Sequence, residues 1–199
     1  MSEEVVRIGV IVASTRNGRR GERFASWVHR LLKERAGVEV ELLDLRDYCI
    51  GAYAHEEMPP KVERTYADET ARTWSDKIHG LDGYVIVTPE YNHGYPGNLK
   101  NAIDHVHTGW WYKPVAFVSY GGNASGARAV EQLRNVAVEV RMVPVRGEVN
   151  LRLIGLELDE AGTPKDSYYG RTSKGMIDQL VWWARATKRA RAVEPPPGF

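Results

Sequence analysis

The chain of 199 residues contains one cysteine, Cys49, so an internal disulfide is impossible. We expect this thiol to be buried and inert, since nothing in the neighbouring sequence is typical of a reactive cysteine. No apolar run approaches the length needed to cross a bilayer, and Glu3 and Glu4 stand where a secretory signal would be basic. These absences predict a soluble, cytoplasmic protein without a membrane anchor.

The chain also has no large excess of charge of either sign. The 27 basic and 26 acidic residues are interspersed along the chain and leave a formal net charge of +1, so no global field attracts nucleic acid or an anionic membrane. One cluster near the C-terminus is basic and flanked by Trp182 and Trp183. A nucleic-acid role for it is conceivable, but a solvated helix face is the favoured interpretation. The basic residues are Arg185, Lys188, Arg189 and Arg191.

Several catalytic and nucleotide-binding signatures are absent. No Gly-x-Gly-x-x-Gly follows the first apolar run, and no Lys-Ser or Lys-Thr closes a glycine loop, which argues against dinucleotide-binding Rossmann units and P-loop enzymes. His55 lacks the second histidine of a zinc protease, and Ser119 lacks the first glycine of a nucleophile elbow. His105 and His107 lie two apart on a predicted helix and face different directions. We therefore predict no metal site.

Short apolar runs alternate with segments of helical periodicity, the pattern of parallel βαβ units. This predicts one α/β domain over residues 1–199, a doubly wound sheet of five parallel strands in the order 2-1-3-4-5, with helices on both faces. The tail 193–199 is predicted to be disordered. The predicted strands are 5–13, 38–43, 84–87, 114–120 and 142–145; the predicted helices are 22–35, about 65–79, from 98 onward, 127–140 and 171–190.

In that strand order, the loops after the first and third strands open at the carboxyl edge of the sheet, where such folds bind ligands. The first loop, residues 14–21, reads Ser-Thr-Arg-Asn-Gly-Arg-Arg-Gly and precedes a helix. Helix N-termini, hydroxyls and guanidinium groups suit a single phosphate. The alternative is a solvated basic loop with a helix cap.

The second loop, residues 89–97, contains no nucleophile, general base or metal set. Proline and glycine would hold its backbone amides in unusual conformations beside Tyr91 and Asn92, which suits a flat heteroaromatic ligand with acceptors on its edge. The third loop, residues 121–126, adds amides that a ligand can approach closely because glycine has no side chain. The alternative is that Tyr91 and Tyr95 are ordinary loop aromatics.

Three stretches together resemble the NAD(P)H-dependent FMN reductase family of flavodoxin-like fold: Ala13-Ser14-Thr15-Arg16, residues 88–104 (Thr-Pro-Glu-Tyr-Asn-His-Gly-Tyr-Pro-Gly-Asn-Leu-Lys-Asn-Ala-Ile-Asp), and Ser119-Tyr120-Gly121-Gly122. The similarity spans about residues 5–150, and the middle motif is the specific one. Ala13 stands where many members have glycine.

The resemblance implies that bound FMN takes hydride from NADPH or NADH at flavin N5 and passes electrons to free flavin, a quinone, an azo compound or a metal ion. No side chain is then catalytic. An FMN-binding electron carrier or redox-sensing module without reductase activity is the alternative. A homodimer, possibly a tetramer, is expected from the family and from aromatic surface at Trp110 and Trp111. The implied cofactor contacts are Ser14, Thr15, Arg16, Arg19, Arg20 and Gly21 in the first loop, Pro89, Glu90, Tyr91 and Asn92 in the second, and Tyr120, Gly121 and Gly122 in the third.

Overall fold

The structure, a computed structural model, describes residues 4–56, 66–195 and 197. In this part of the chain no helix combines the length and apolarity that a membrane crossing requires. The elements follow the order β1 Val6–Val12, α1 Gly21–Lys33, β2 Val38–Asp44, α2 Leu45–Tyr48, α3 Glu69–His79, β3 Gly83–Pro89, α4 Gly97–Asp104, a 3-10 turn Thr108–Trp110, β4 Pro114–Gly121, α5 Ala127–Glu139, β5 Val143–Arg152 and α6 Ser167–Val193.

The five strands form one parallel sheet in the order β2-β1-β3-β4-β5, which confirms the predicted topology. Every residue of β3 and β4 is buried, because these central strands are covered on both faces. β2 lies at an edge and alternates between partly buried and exposed positions. A continuous apolar run thus indicates a central strand, and a run with exposed positions indicates an edge strand.

Helices cover both faces of the sheet. On one face α1 and α6 pack against the strands through Phe24, Trp27 and Leu180. On the other face α3, α4 and α5 contribute Trp74 and Leu133 to a second core. The apolar side chains of each helix recur at helical spacing, so each helix buries one stripe against the sheet.

Two predicted boundaries were wrong. β5 continues to Arg152 rather than ending at Val145, because an edge strand carries polar residues on its exposed side and Glu148 pairs with Arg134 at 2.7 Å. α6 begins four residues before Arg171, since the Asp166 side chain caps it by accepting the Tyr168 N–H at 2.8 Å. The helix runs on to Val193.

The ends of two other predicted segments fall partly outside the described residues. The helix predicted from about residue 65 begins at Glu69, where the Asp68 side chain accepts the Thr70 N–H at 2.8 Å; Thr65 itself is not described. Of the predicted disordered tail, Val193 is helical and the Pro197 carbonyl accepts a bond from Arg141 at 2.8 Å. Pro196, Gly198 and Phe199 lie outside the described part.

The basic C-terminal cluster forms a solvated face only in part: the Arg189 side chain is 66% exposed, whereas Lys188 and Arg191 bind another part of the chain. Lys188 and Arg191 both bind the carboxylate of Asp82, at 2.9 and 3.1 Å, and Asp82 is 8% exposed. Burial lowers the pKa of Arg191 below its ordinary value, although Asp82 opposes that shift. These pairs fix the end of α6 at the amino edge of the sheet, opposite the predicted site.

Three further expectations are corrected. Trp110 is fully buried, with its indole N–H donated to the Ile103 carbonyl at 3.1 Å, so it exposes no aromatic surface. Cys49 is exposed, because it adopts a left-handed conformation (φ 44°) at the C-cap of the short α2. His105 and His107 follow α4, which ends at Asp104, so they do not share a helix.

Candidate functional site

The carboxyl ends of β1, β3 and β4 are adjacent and bring the three loops together. Val12 is in register with Val87, and Pro89 with Tyr120. Main-chain bonds continue just past the strands, with the Ala13 N–H donated to the Val87 carbonyl at 3.0 Å. The sheet register therefore places the first, second and third loops side by side at one edge.

Ser14 joins the first loop to the second. Its side chain is fully buried, and its Oγ lies 2.7 Å from the Tyr91 hydroxyl. The Arg16 N–H also donates to this Oγ at 3.3 Å. A serine hydroxyl has two lone pairs and one proton. Ser14 also lies beside the Tyr120 hydroxyl, whose pKa it lowers against the effect of burial, so the Ser14 side chain belongs to a buried cluster of hydroxyl groups beneath the loops.

The rest of the first loop is open to solvent and basic. Thr15, Arg16 and Arg20 are exposed, and Arg20 stands at the N-cap of α1 without a side-chain cap bond. The Arg23 N–H is donated to the Arg20 carbonyl at 3.1 Å, and the amides before it stand at the positive end of the helix. Arg46 holds the outer side of the loop by donating to the Arg16 carbonyl at 2.9 Å.

Arg19 lies apart from the other basic residues of the loop. Its side chain is 3% exposed and forms ion pairs with Asp44 and Glu22. Burial alone would lower the pKa of Arg19, but the hydrogen bonds and charges of Asp44 and Glu22 raise it above its ordinary value. The guanidinium that the sequence assigned to a phosphate is directed at carboxylates.

The second loop turns sharply at its tip. Tyr91 and Gly94 exchange two main-chain hydrogen bonds at 2.8 and 3.1 Å, and the two residues between them, Asn92 and His93, both have positive φ, 49° and 74°. This is the geometry of a type I′ turn, which asparagine tolerates better than most residues. Gln132 supports the turn by donating to the His93 carbonyl at 2.8 Å.

Glu90 is the buried carboxylate of the second loop. Its side chain is 6% exposed, and Oε1 accepts from Arg128 Nε at 2.6 Å. The other oxygen, Oε2, is buried without a hydrogen-bond partner among the described residues. An acceptor in this state is a place for a ligand donor or a water molecule.

Glycines shape the third loop. A Cβ on Gly121 would lie 2.9 Å from the Gly126 nitrogen, so only glycine fits there. A Cβ on Gly122 would meet no heavy atom within 4 Å, so this backbone faces open space. Tyr120 closes the floor beside Gly21, whose Cβ would lie 2.8 Å from the Tyr120 hydroxyl. Burial raises the pKa of Tyr120 well above its ordinary value, and Tyr91 adds to the shift.

The structure brings most of the predicted contacts to one edge of the sheet and adds residues that the sequence reasoning missed. The additions are Asp44, Arg46, Asn98 and Arg128. Asn98 donates to the Ala13 carbonyl at 2.8 Å, a role that its predicted place at the start of a helix did not suggest. Asp44 could have been found from the sequence, because it ends the predicted strand β2, which lies next to β1 and therefore next to the first loop.

These features fit FMN. An uncapped helix N-terminus beside exposed arginines suits its phosphate, open backbone at Gly122 suits the face or edge of a flat ring, and the unpaired Glu90 oxygen can accept a ring N–H. Where the structure describes the chain, no group of three histidine, cysteine or acidic side chains could hold a metal ion.

Comparison with known proteins decides the family. A sequence model of the family described as NADPH-dependent FMN reductase matches residues 6–154. The chain belongs to this family. It is 37% identical over 147 residues to an NAD(P)H-dependent FMN reductase of Schizosaccharomyces pombe, covering 73% of each chain. Over 151 residues it is 32% identical to the reductase LOT6 of Saccharomyces cerevisiae, covering 71% of this chain and 78% of the relative.

A solved structure agrees. FerB of Paracoccus denitrificans, a flavoenzyme NAD(P)H:(acceptor) oxidoreductase, superimposes with a TM-score of 0.77 at 25% identity, covering 92% of this chain and 99% of FerB. Family and fold together identify an oxidoreductase that uses FMN and NAD(P)H.

Proposed function

We propose that this FMN reductase family member passes electrons from NAD(P)H through FMN to a quinone. The observation that carries the proposal is the meeting of the three loops, joined by the Ser14–Tyr91 hydrogen bond, at the carboxyl edge of β1, β3 and β4. Quinones are favoured as acceptors because a Burkholderia relative named 2-hydroxy-1,4-benzoquinone reductase is 41% identical over 124 residues, covering 59% of this chain and 68% of the relative.

When bound, FMN supplies hydride chemistry at its ring, and the protein supplies position and hydrogen bonds. In the proposal the first loop holds the phosphate. The uncapped N-terminus of α1 and the exposed guanidinium groups of Arg16 and Arg20 neutralise its charge. Thr15 offers an exposed hydroxyl donor, whereas Ser14 and Gly21 are buried beneath the loop against Tyr91 and Tyr120 and support its shape.

The second and third loops hold the ring from two sides. The main chain from Pro89 to Asn92 meets one edge, and Glu90 offers its unpaired oxygen to a ring N–H. Tyr120, Gly121 and Gly122 form the other wall, where the absence of side chains lets the backbone come close. Within this stretch the amides of Glu90 and Tyr91 are already donated to the Tyr120 and Gly94 carbonyls, so in the proposal the Asn92 amide is the one offered to negative charge that develops at the ring edge on reduction.

Anaerobic reduction tests the activity. The FMN-loaded protein is mixed with NADPH or NADH, and the loss of the yellow flavin absorbance is followed; FMN without protein is the control. A quinone, free flavin, an azo dye and ferricyanide are then added in separate reactions. We expect rapid bleaching by a nicotinamide and fastest reoxidation by the quinone. Flavin that stays oxidised with both nicotinamides rejects the reductase, and faster reoxidation by another acceptor rejects the quinone.

We also propose a homodimer, possibly a dimer of dimers. The buried Trp110 no longer supports it, but α6 exposes 62% of Trp182 and 38% of Trp183, whose rings contact each other at 5.1 Å. Adjacent exposed tryptophans are unusual on a monomer. Light scattering at micromolar concentration should give at least twice the 22.4 kDa chain mass, and a monomer mass rejects the proposal.

A cytoplasmic location completes the proposal. With one cysteine the chain has no internal disulfide, and its exposed thiol is compatible with a reducing compartment. Fractionation of the native cell should recover the protein with cytoplasmic markers; recovery with membranes or in the medium would contradict this.

A further inference from the structure

Arg19 connects three parts of the fold that are distant in sequence. Its Nη1 donates to the main-chain carbonyl of Ser14 at 2.5 Å and to Asp44 Oδ1 at 2.7 Å. Its Nη2 donates to Asp44 Oδ2 and, at 2.5 Å, to Glu22 Oε1. Its Nε donates to the same Glu22 oxygen at 2.7 Å. The first loop, the end of β2 and the first turn of α1 thus meet on one guanidinium.

These bonds use all the donors that the side chain has. A guanidinium carries five N–H groups and no acceptor. Each of the five has an acceptor within the protein, and the side chain is 3% exposed. No N–H of Arg19 is left for a phosphate.

We infer that Arg19 is a positioning residue, which with Asp44 fixes the first loop in the shape that binds the FMN phosphate, rather than a phosphate contact itself. The inference rests on the proposed function, in which the first loop holds that phosphate. It changes the sequence-based assignment of Arg19 and adds Asp44 to the residues on which cofactor affinity depends.

Asp44 acts on the first loop from two directions. One is through Arg19, which anchors the Ser14 carbonyl. The other is through α2, because Asp44 Oδ1 accepts the Arg46 N–H at 2.9 Å and caps the helix that carries Arg46. Arg46 in turn donates to the carbonyls of Thr15 and Arg16, at 3.2 and 2.9 Å. The carbonyls of Ser14, Thr15 and Arg16 are thus tied back. The amides of Arg16 and Arg19 are bonded within the loop, to Ser14 Oγ and the Arg16 carbonyl, and the amides of the other exposed loop residues are left for an anion.

Preorganisation of this kind raises affinity without any contact to the ligand, because the loop does not have to be ordered on binding. Lysine cannot replace Arg19 in this role. An ammonium is a point charge and cannot form the planar, paired bonds that join Asp44 to Glu22. Charge alone would serve a phosphate contact, so the two roles predict different behaviour for the same substitution.

Flavin affinity tests the inference. The dissociation constants of FMN and of riboflavin, which has the same ring and no phosphate, are measured by flavin fluorescence for the wild type, Arg19→Lys, Asp44→Asn and the double variant. We expect each single variant to bind FMN about tenfold or more weakly, the effect of losing a hydrogen bond to a charged group. Riboflavin affinity should change much less. The double variant should be no worse than the weaker single variant, because both substitutions break one unit.

A direct phosphate contact would give the opposite pattern. Asp44→Asn would release the guanidinium and leave FMN affinity equal or higher, and Arg19→Lys would keep most of it. Either result overturns the inference. An equal loss of affinity for FMN and riboflavin would also overturn the inference, because it would indicate general damage to the fold. The thermal unfolding of each apo variant is therefore measured as well.

The matched controls are Arg7→Lys and Glu39→Gln. This pair also joins β1 to β2, at 3.1 Å between Nε and Oε2, but with side chains 63% and 62% exposed and far from the loops. Both controls should bind FMN like the wild type. A wild type that binds no FMN would refute the proposed function itself, whereas a wild type that binds FMN while Arg19→Lys binds it equally well refutes only the inference.

Discussion

The hydroxyl of Tyr91 and the Oγ of Ser14 lie 2.7 Å apart, although 77 positions separate the two residues in the chain. One belongs to the turn after β3 and the other to the loop after β1. The bond joins the two loops into a single wall. If the first loop holds the phosphate and the second the ring, as proposed, the two side chains couple the binding of one to the binding of the other.

The first prediction concerns that bond. Tyr91→Phe removes the hydroxyl that bonds Ser14 and keeps the ring, so FMN affinity should fall by about 1 kcal/mol, or about fivefold. The fold should be unaffected, because the Tyr91 ring is 37% exposed. Flavin fluorescence titration measures the affinity. Tyr95→Phe, a change of the same atom in the same loop away from Ser14, is the control and should bind FMN normally; equal losses would show that the bond has no special role.

The second prediction concerns Arg16, whose exposed side chain belongs to the loop that we propose holds the phosphate. Arg16→Ala should weaken FMN binding by about 1.5–3 kcal/mol, the range for a hydrogen bond to a charged group, and leave thermal unfolding of the apo protein unchanged. The variant should emerge from a desalting column without its flavin. Lys33→Ala removes a cation from the other end of α1 and should keep the flavin. Full retention by Arg16→Ala would remove Arg16 from the phosphate site.

The sequence was sufficient for the strand order, because local patterns identify the elements and the right-handed crossover rule leaves few arrangements of them; the place of the cofactor site remains a prediction. Apolar runs identify the buried β3 and β4, and turn residues mark the loops at their ends. β5 was cut short because its polar residues make contacts with α5 and α6 that no local pattern contains. Glu148, for example, pairs with Arg134, fourteen positions away.

The roles of individual side chains were less accessible than the location of the site. Arg16, Arg19 and Arg20 are the same residue type in one loop, and only Glu22, three positions after Arg19, distinguishes one of them locally. The other carboxylate that turns Arg19 inward is Asp44, at the end of the neighbouring strand, which no local pattern places beside it. Trp110 and Trp111 are likewise adjacent and alike, yet the first is buried and the second is covered by Arg141 at 4.1 Å from its ring centroid.

The third prediction concerns stability at high pH. Burial, with the charges of Glu41 and Asp47, raises the pKa of Tyr48 from 10 to about 12. Above pH 10 the unfolded chain therefore loses this proton before the folded chain does, and stability falls as pH rises from about 10 toward 12. Urea midpoints measured across this range should decline less steeply in Tyr48→Phe, which has no phenol to ionise. Equal slopes in the two proteins would contradict the raised pKa.

The last prediction separates folding from binding within the third loop, through two glycines four positions apart. At Gly126 φ is +87°, and a Cβ would lie 2.6 Å from the Ser119 Cβ and 2.8 Å from the Tyr120 nitrogen. Gly126→Ala combines an unfavourable backbone conformation with a clash against main chain, so it should lower the free energy of unfolding by about 2–4 kcal/mol. Gly122→Ala meets open space and should unfold like the wild type.

For Gly122→Ala we expect flavin binding to change although stability does not. A methyl group at Gly122 projects into the space assigned to the ring, so FMN and riboflavin should both bind more weakly to Gly122→Ala, and to a similar extent, because the phosphate is not involved. Urea unfolding and flavin titration of the same two preparations measure both properties. A Gly122→Ala protein with normal stability and normal flavin affinity would place the ring elsewhere, because a wall that the ring contacts cannot gain a methyl group without cost.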